Sequence, residues 1–436
     1  METLNYGIGM RIAFIVCQFP LLSETFILNQ ITGLIDRGHE VDIYADHLEN
    51  TVKVHPDVET YRLLERTYQL IQVPDNLIWR VLKGIGLFVV NFCKSPRLLL
   101  KSLNISQYGL QAASLWLMYS AISLINKQPY DIIHCQFGTQ GYRGMFFKNI
   151  LQPTPKLIVM FRGHDISRYV QEQGDRVYDE IFKSGDFFLT NCEFFRQRVI
   201  QLGGNPEQTA VHRSGLDCRK FQFIPRQLSA DGIIHITTTG RLVEKKGIEY
   251  AIRAVAQQAQ VYPKLEYQII GDGVLKGNLQ TVIQQLNAES FIKLVGWKTE
   301  QEIIEILEQS HIFLAPSITA QDGNQDAPIN VLKEAMAMGL PVISTYHGGI
   351  PELVEDGVSG FLVPECDAEA LAEKLGYLID HPERWIEMGQ AGRAYVEQHY
   401  DIHQLNDKLV QLYQRLLETD DIAVRSQPVL MEPSHP

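Results

Sequence analysis

Asp326-Ala-Pro-Ile-Asn-Val-Leu-Lys-Glu334-Ala-Met-Ala-Met-Gly-Leu-Pro341 is the stretch that decides how this 436-residue chain is read. Two carboxylates stand eight positions apart around the start of an apolar helical run, and Gly339-Leu-Pro341 ends it. Proline suits a first helical turn, where its missing N–H has no partner to lose. The pattern therefore predicts a helix with Asp326 as its N-cap and Pro328 in the first turn. The amides of Ile329, Asn330 and Val331 then fall at the end of the helix that attracts anions. Glu334 is expected about 12 Å further along the axis, at about 1.5 Å per residue. One end would hold a phosphate and a sugar, and the second carboxylate a ribose. The plainer alternative is a capped core helix with Glu334 on its wet face.

Short β-rich runs alternate with helical stretches on both sides of this segment. A run at 11–16 precedes a helix near 24–37, and runs at 41–44, 131–135, 157–161 and 187–190 follow. After residue 230 the rhythm restarts, with runs at 233–238, 265–270, 291–294, 312–315 and 341–344 and helices from 248 and near 276–286. Such alternation implies parallel sheets flanked by helices. The length allows two domains, and the polar run 225–232 reads as their junction. The expected architecture is α/β, with two Rossmann-like doubly wound domains facing a cleft. The domains are placed at 1–222 and 223–400. A helix over 401–419 is expected to pack back toward the first, and 420–436 to form a loose tail.

Composition narrows the function. A net charge of −12 argues against nucleic acid as a partner. The N-terminus, Met1-Glu-Thr-Leu-Asn-Tyr6, lacks the basic and apolar regions of a signal peptide. Six scattered cysteines show no C-x-x-C spacing, which points to a reducing cytosol rather than a zinc site or disulfide frame. Charge is uneven. Residues 77–130 carry six basic side chains (Arg80, Lys83, Lys94, Arg97, Lys101 and Lys127), no acid, and two aromatic-aliphatic clusters. That combination suits a surface lying on anionic lipid. Core helices with wet lysines are the alternative. The uncharged run 102–126 is broken by serine, glutamine and asparagine, which disfavours a spanning helix.

Ligands of open α/β sheets bind outside the carboxyl ends of the strands, so the chemistry is sought there. Gly240-Arg-Leu-Val-Glu-Lys-Lys-Gly247 follows the run 233–238. Arg241 and Lys246 are two cations able to stabilise a departing diphosphate, and Lys245 is expected to be exposed. Gly271-Asp-Gly273 provides a tight turn, and Val295-Gly-Trp297 follows the next run. Phe161-Arg-Gly-His164-Asp165 offers a histidine to orient a sugar and a carboxylate to fix its tautomer. His134 also ends a strand and reads as structural. Phe19-Pro-Leu-Leu-Ser23-Glu24-Thr25-Phe26 joins the first strand to the first helix, where Ser23 is also a candidate cap.

Taken in order, these segments resemble the retaining glycosyltransferases of family 4, whose signature is usually Glu, seven residues, Glu, then Ala-Met-Ala-x-Gly-x-Pro-Val. Asp326 departs from it by one methylene. The Phe19–Phe26 run resembles a subgroup that builds bacterial exopolysaccharides of the colanic acid and amylovoran type. His212-Arg-Ser-Gly-Leu-Asp217 resembles the segment before the second domain, and Gly348-Gly-Ile-Pro-Glu352 a glycine element that lets the donor approach. The resemblance covers most of 11–400 and is strongest in 240–363. It implies the glycosyltransferase-B fold, with 1–222 on the acceptor side and 223–400 binding a nucleotide sugar.

The resemblance also implies roles. His164, Arg241, Lys246 and Asp326 become catalytic; Ser23, Gly240, Gly271, Gly273, Trp297, Ile329, Asn330, Val331 and Glu334 become donor contacts. The donor is a UDP- or GDP-sugar, no metal or other cofactor is expected, and a hexose moves by same-face attack of the acceptor hydroxyl. The acceptor is a saccharide or a polyprenyl-linked saccharide. The enzyme is placed in the cytoplasm, at the inner face of the plasma membrane. A nucleotide-sugar 2-epimerase and a non-catalytic sugar-nucleotide sensor are the rival readings.

Overall fold

The computed structural model describes residues 9–21, 24–49, 54–228 and 230–425. The first half builds one sheet from β1 (Arg11–Phe19), β2 (Glu40–Leu48), β3 (Thr67–Gln69), β4 (Ile132–Gln136), β5 (Lys156–Phe161), β6 (Phe187–Thr190) and β7 (Thr209–Val211). Their order is β3-β2-β1-β4-β5-β6-β7, and every pairing is parallel. The second sheet contains β8 (Ile234–Thr239), β9 (Leu265–Ile270), β10 (Ile292–Gly296), β11 (Ile312–Ala315), β12 (Val342–Thr345) and β13 (Gly360–Val363). Its order is β10-β9-β8-β11-β12-β13, again all parallel. In each sheet the order reverses beside the first strand, so each has a switch point at its carboxyl edge where a ligand can sit.

Burial explains the strand composition. Helices cover both faces, so successive residues of β1 enter opposite cores. Ala13 and Ile15 join one cluster, and Ile12, Phe14 and Val16 the other. All five residues of β4 are buried. The runs read from sequence match strands to within a few residues. β3, β7 and β13 are additional. Two of these are three-residue edge strands, too short for a visible alternation. Between β3 and β4 lie the helices Leu77–Phe92, Pro96–Ser102, Ile105–Ala113 and Trp116–Ile122.

The helix Ile402–Arg425 returns to the first sheet and extends past residue 419, into what the sequence reading gave to a loose tail. Residues 426–436 lie outside the described ones. The helix is tied down by a 2.7 Å ion pair from Arg37 Nε to Asp407 and by Asn406, which donates to the carbonyl of Asn29. Tyr413 is fully buried and meets Nδ1 of His134 at 2.5 Å. Burial drives the His134 pKa well below its ordinary value, so the ring stays neutral in a structural role. Tyr413→Phe removes the hydroxyl and strands a buried ring nitrogen. The expected cost is about 1–3 kcal/mol in urea unfolding, with the native circular dichroism spectrum retained.

Candidate active site

The carboxyl edge of the second sheet gathers the charged residues. Asp326 is buried, and its two oxygens are shared by two ammonium groups: Lys245 Nζ at 2.9 Å and Lys246 Nζ at 2.7 Å. Ser317, just past β11, donates to the same carboxylate at 3.1 Å. The backbone N–H of Asp326 donates to Nε2 of His347 at 2.9 Å, and Nδ1 of that ring meets Glu365 at 2.6 Å. A ring that accepts at Nε2 carries its proton at Nδ1, so Glu365 fixes the His347 tautomer. Burial opposes ionisation of Asp326. Lys246, Lys245 and their hydrogen bonds outweigh it and hold the carboxyl below the usual range. Burial lowers the Lys246 pKa, and Asp326 pulls against that shift.

Asp326 is therefore not a helix cap. The helix runs Asn330–Ala337, its N-cap is Ile329 in an extended conformation, and no side chain caps it. Pro328 lies before the helix rather than in its first turn. The cause is electrostatic: residues 327–329 stay outside the helix, with a bend at Pro328, while two lysines hold the Asp326 carboxylate. The expected axial spacing to Glu334 assumed a continuous helix and does not hold. Asn330 and Val331 occupy the first turn, where their amides have no intrahelical acceptor. Lys245, expected to be exposed, is largely buried in its ion pair.

The neighbouring loops are welded edge to edge. Gly240 N donates to the Ile270 carbonyl, Leu242 N to that of Asp272, and Gly271 N to that of Gly296, at 2.9, 2.9 and 2.8 Å. Gly271 has φ +140°, and a Cβ there would lie 1.9 Å from the Gly240 oxygen, so no other residue fits. Arg241 is exposed on this edge, and Trp297 is half exposed beyond Gly296. Gly348 and Gly349 serve the protein's own chain. A Cβ at Gly348 would strike the Asp326 carbonyl at 2.1 Å, and one at Gly349 would strike Pro328 and Cys192.

The first domain closes over this edge. Arg168 pairs with Asp322 at 3.0 Å, and the Glu352 carboxylate accepts from the first amides of the helix Glu193–Gln201, Glu193 N and Phe194 N, at 2.7 and 2.8 Å. Gly163, beside exposed His164, faces the Gln325 carbonyl. His164 thus stands across from the Asp326 segment. Asp165 does not hold its tautomer. Its carboxylate accepts instead from the amides of Gly138, Arg162 and Gly163 at 2.7–3.0 Å and shapes the loop. Ser23 lies outside the described residues, and the helix that follows has no side-chain cap.

Asn330 and Glu334 share a separate cavity of about 240 Å³, walled by both domains and by the linker residues Gly215–Asp217. Burial, with a smaller push from Glu300, raises the Glu334 pKa to about 7. Val331 packs into the core beside them, and Trp297 is not among the residues lining this cavity.

The family profile described as "Glycosyl transferases group 1" matches residues 221–395. Amylovoran biosynthesis glycosyltransferase AmsK of Erwinia amylovora is 36% identical over 411 residues, covering 93% of this chain and 100% of that one. The chain belongs to the group 1 glycosyltransferases. The putative colanic acid biosynthesis glycosyltransferase WcaL of Salmonella typhimurium is also 36% identical, over 413 residues and the same shares of both chains. Among solved structures, Anabaena HepE in complex with UDP and glucose superimposes with TM-score 0.67 at 19% identity, over 93% of this chain and 100% of that one. Sucrose-phosphate synthase from Thermosynechococcus elongatus gives 0.68 at 18%, over 94% and 100%. At these identities the likeness speaks of fold: two parallel-sheet domains in the glycosyltransferase-B arrangement.

The sequence reading of this glycosyltransferase missed four participants. Lys245, Ser317 and His347 complete the Asp326 cluster. Ser317 and His347 each follow a strand, and the carboxyl-edge rule applied to every strand finds both. Arg162 directly follows β5, so the same rule reaches it, but its partners lie inside the fold. It is buried, donates to Gln136, Gln30 and Ser214, and sits 4.3 Å from the centre of the Phe26 ring. Burial pulls its pKa down to about 9, and burial pushes the nearby Glu24 up to about 7 against the pull of Arg162.

The carboxylate shared by two lysines has a pH signature. Its pKa is depressed on folding, so its stabilisation is present above the unfolded value of about 3.9 and is lost as pH falls below it. Asp326→Asn should cost about 3 kcal/mol at pH 7, because two largely buried ammonium groups lose their counter-charge. It should also flatten the acid limb of the stability curve. Thermal melts of both proteins from pH 7 to pH 3 measure both effects.

Proposed function

We propose that this protein is a retaining glycosyltransferase that moves a hexose from a UDP- or GDP-sugar to a saccharide or polyprenyl-linked saccharide acceptor during synthesis of an exopolysaccharide or other cell-surface glycan. The observation that carries the reading is the Lys245–Lys246–Asp326 cluster beside an uncapped helix start, with His164 opposite. Two ammonium groups and free amides at a sheet's carboxyl edge suit a diphosphate. The names of the amylovoran and colanic acid relatives support the pathway class, and the Anabaena structure holding UDP and glucose supports the donor class. The units we assign are 1–222 on the acceptor side and 223–400 on the donor side.

The cluster sets two ammonium groups against one carboxylate and so keeps one positive charge in excess. A diphosphate entering it competes with Asp326 for Lys246 and, with Arg241, completes a cationic clamp. Asp326, released from one ammonium, becomes an acceptor for sugar hydroxyls. As the bond from the anomeric carbon to the leaving phosphate oxygen breaks, charge grows on that oxygen, where the clamp acts most strongly. The acceptor hydroxyl attacks from the same face and passes its proton to the leaving phosphate, so configuration is retained. His164 orients the sugar from the opposite wall. Glu334 and Asn330 take the ribose in the cavity they line. The cytoplasmic face of the plasma membrane is where a nucleotide sugar and a polyprenyl-linked acceptor meet, and all six cysteines are unpaired, as a reducing compartment leaves them.

Arg241→Ala and Lys246→Ala should each lower kcat/KM about a hundredfold, the loss of about 3 kcal/mol expected when one preorganised cation is removed from a developing charge. His164→Ala should lower kcat far more than it weakens UDP or GDP binding. Steady-state kinetics with a nucleotide-sugar panel, alongside calorimetric binding of the bare diphosphates, makes the comparison. Near-normal turnover in both cation variants removes the clamp from the mechanism.

A further inference from the structure

We propose that the helix Leu77–Phe92 docks flat on an anionic lipid bilayer and so brings the acceptor side of the enzyme to the membrane. This deepens the assignment of a lipid-linked acceptor and rests on it for its purpose. The helix is apolar on both faces. Its inward face, at Gly84, Leu87 and Phe88, packs against Met118 and Tyr119, and a Cβ at Gly84 would lie 3.3 Å from Met118. Its outward face shows Ile78, Trp79, Leu82, Ile85, Val89 and Val90, each between 55% and 70% exposed. A helix that is apolar all round requires a nonpolar medium on the side its own fold leaves bare.

Length fixes how it meets that medium. Sixteen residues reach about 24 Å, short of the roughly 30 Å hydrocarbon core. Among the described residues, no helix is long and apolar enough to cross a membrane. The helix therefore lies in the interface, with Trp79 at headgroup level. Charge selects the lipid. Residues 77–130 contain no acid, and the nearest one before the helix is Asp75. Three of the six cations are used inside the fold. Arg80 donates to the Pro74 carbonyl, Lys101 to that of Asn149, and Lys127 sits over the Tyr68 ring. Lys83, Lys94 and Arg97 have exposed side chains, Lys83 also standing 5.9 Å from the centre of the Tyr119 ring. A second copy docked two-fold on this face would offer those cations no carboxylate from 77–130, because the segment has none. Anionic headgroups supply the opposite charge.

Co-sedimentation of the full-length protein with phosphatidylglycerol–phosphatidylcholine vesicles tests the proposal, with pure phosphatidylcholine vesicles as the comparison. Binding should need the anionic lipid and should reverse as salt rises. Each cation is worth about fivefold, so Lys83→Glu, Lys94→Glu and Arg97→Glu combined should weaken binding at least a hundredfold. Ile85→Asp with Val89→Asp should abolish it. Tryptophan emission should shift to the blue on vesicles in the wild type and in Trp297→Phe but not in Trp79→Phe. Thermal stabilisation by UDP or GDP should be the same in wild type and docking variants, which shows that the donor domain is intact. Equal pelleting of wild type and both sets of variants overturns the proposal, and so does a dimer that Ile85→Asp with Val89→Asp dissolves in the absence of vesicle binding. Transfer to a soluble acceptor is read separately. If it persists without vesicle binding, the docking surface fails and the glycosyltransferase reading stands.

Discussion

The Asp326 carboxylate, shared between Lys245 and Lys246 at 2.9 and 2.7 Å, is the constraint around which the cleft is arranged. Two ammonium groups this close are held together by the carboxylate between them, and a carboxylate this buried stays ionised because of them. The surrounding chain conforms to the triad. Residues 327–329 stay outside the helix, with a bend at Pro328. Gly348 has no side chain where the Asp326 carbonyl passes, and His347 accepts the Asp326 amide with its ring oriented by Glu365. The helix that follows starts late and uncapped. Its first amides therefore have no intrahelical acceptor.

That arrangement gives the domain interface a reason for its form. The Asp322–Pro328 segment is one part of the second domain that meets the first. Arg168 holds Asp322, Gly163 abuts the Gln325 carbonyl, and Ala327 packs against the core of the first sheet. Glu352 reaches the opposite way, onto the amides that open the helix Glu193–Gln201. Contacts that close the cleft and contacts that position Asp326 therefore lie on one short stretch of chain. The cavity holding Glu334 and Asn330 sits at the hinge, so a ligand spanning both would feel the relative placement of the domains.

Much of this was legible in the sequence, and the misses have physical causes. Buried parallel strands such as β11 announce themselves as short apolar runs between helical periods, and the doubly wound fold follows from their alternation. The position of the site followed from the carboxyl-edge rule. The cap assigned to Asp326 failed because Asp-x-Pro before an apolar run is also what an extended segment looks like; only the lysines eighty positions earlier decide between them. Asp165 was read as a partner of His164 because they are adjacent, yet three backbone amides in a buried loop are stronger claimants. Arg162 follows β5 directly, where the same rule points, but its acceptors are the neutral side chains of Gln30, Gln136 and Ser214, which only the folded chain assembles. In 77–130 composition separated charge from apolarity correctly but could not tell which cations the fold consumes.

We propose that Arg241 and Lys246 form one diphosphate clamp, with Asp326 holding Lys246 in place and offsetting part of the charge of the lysine pair. The most direct measurement is calorimetric binding of UDP and GDP, with uridine and guanosine as phosphate-free controls, to the wild type and to the Arg241→Ala, Lys246→Ala double variant. Losing two charge-assisted contacts of about 1.5–3 kcal/mol each should weaken binding of the preferred diphosphate on the order of a hundredfold or more and leave the nucleoside unchanged. Undiminished diphosphate affinity in a folded double variant would contradict the account.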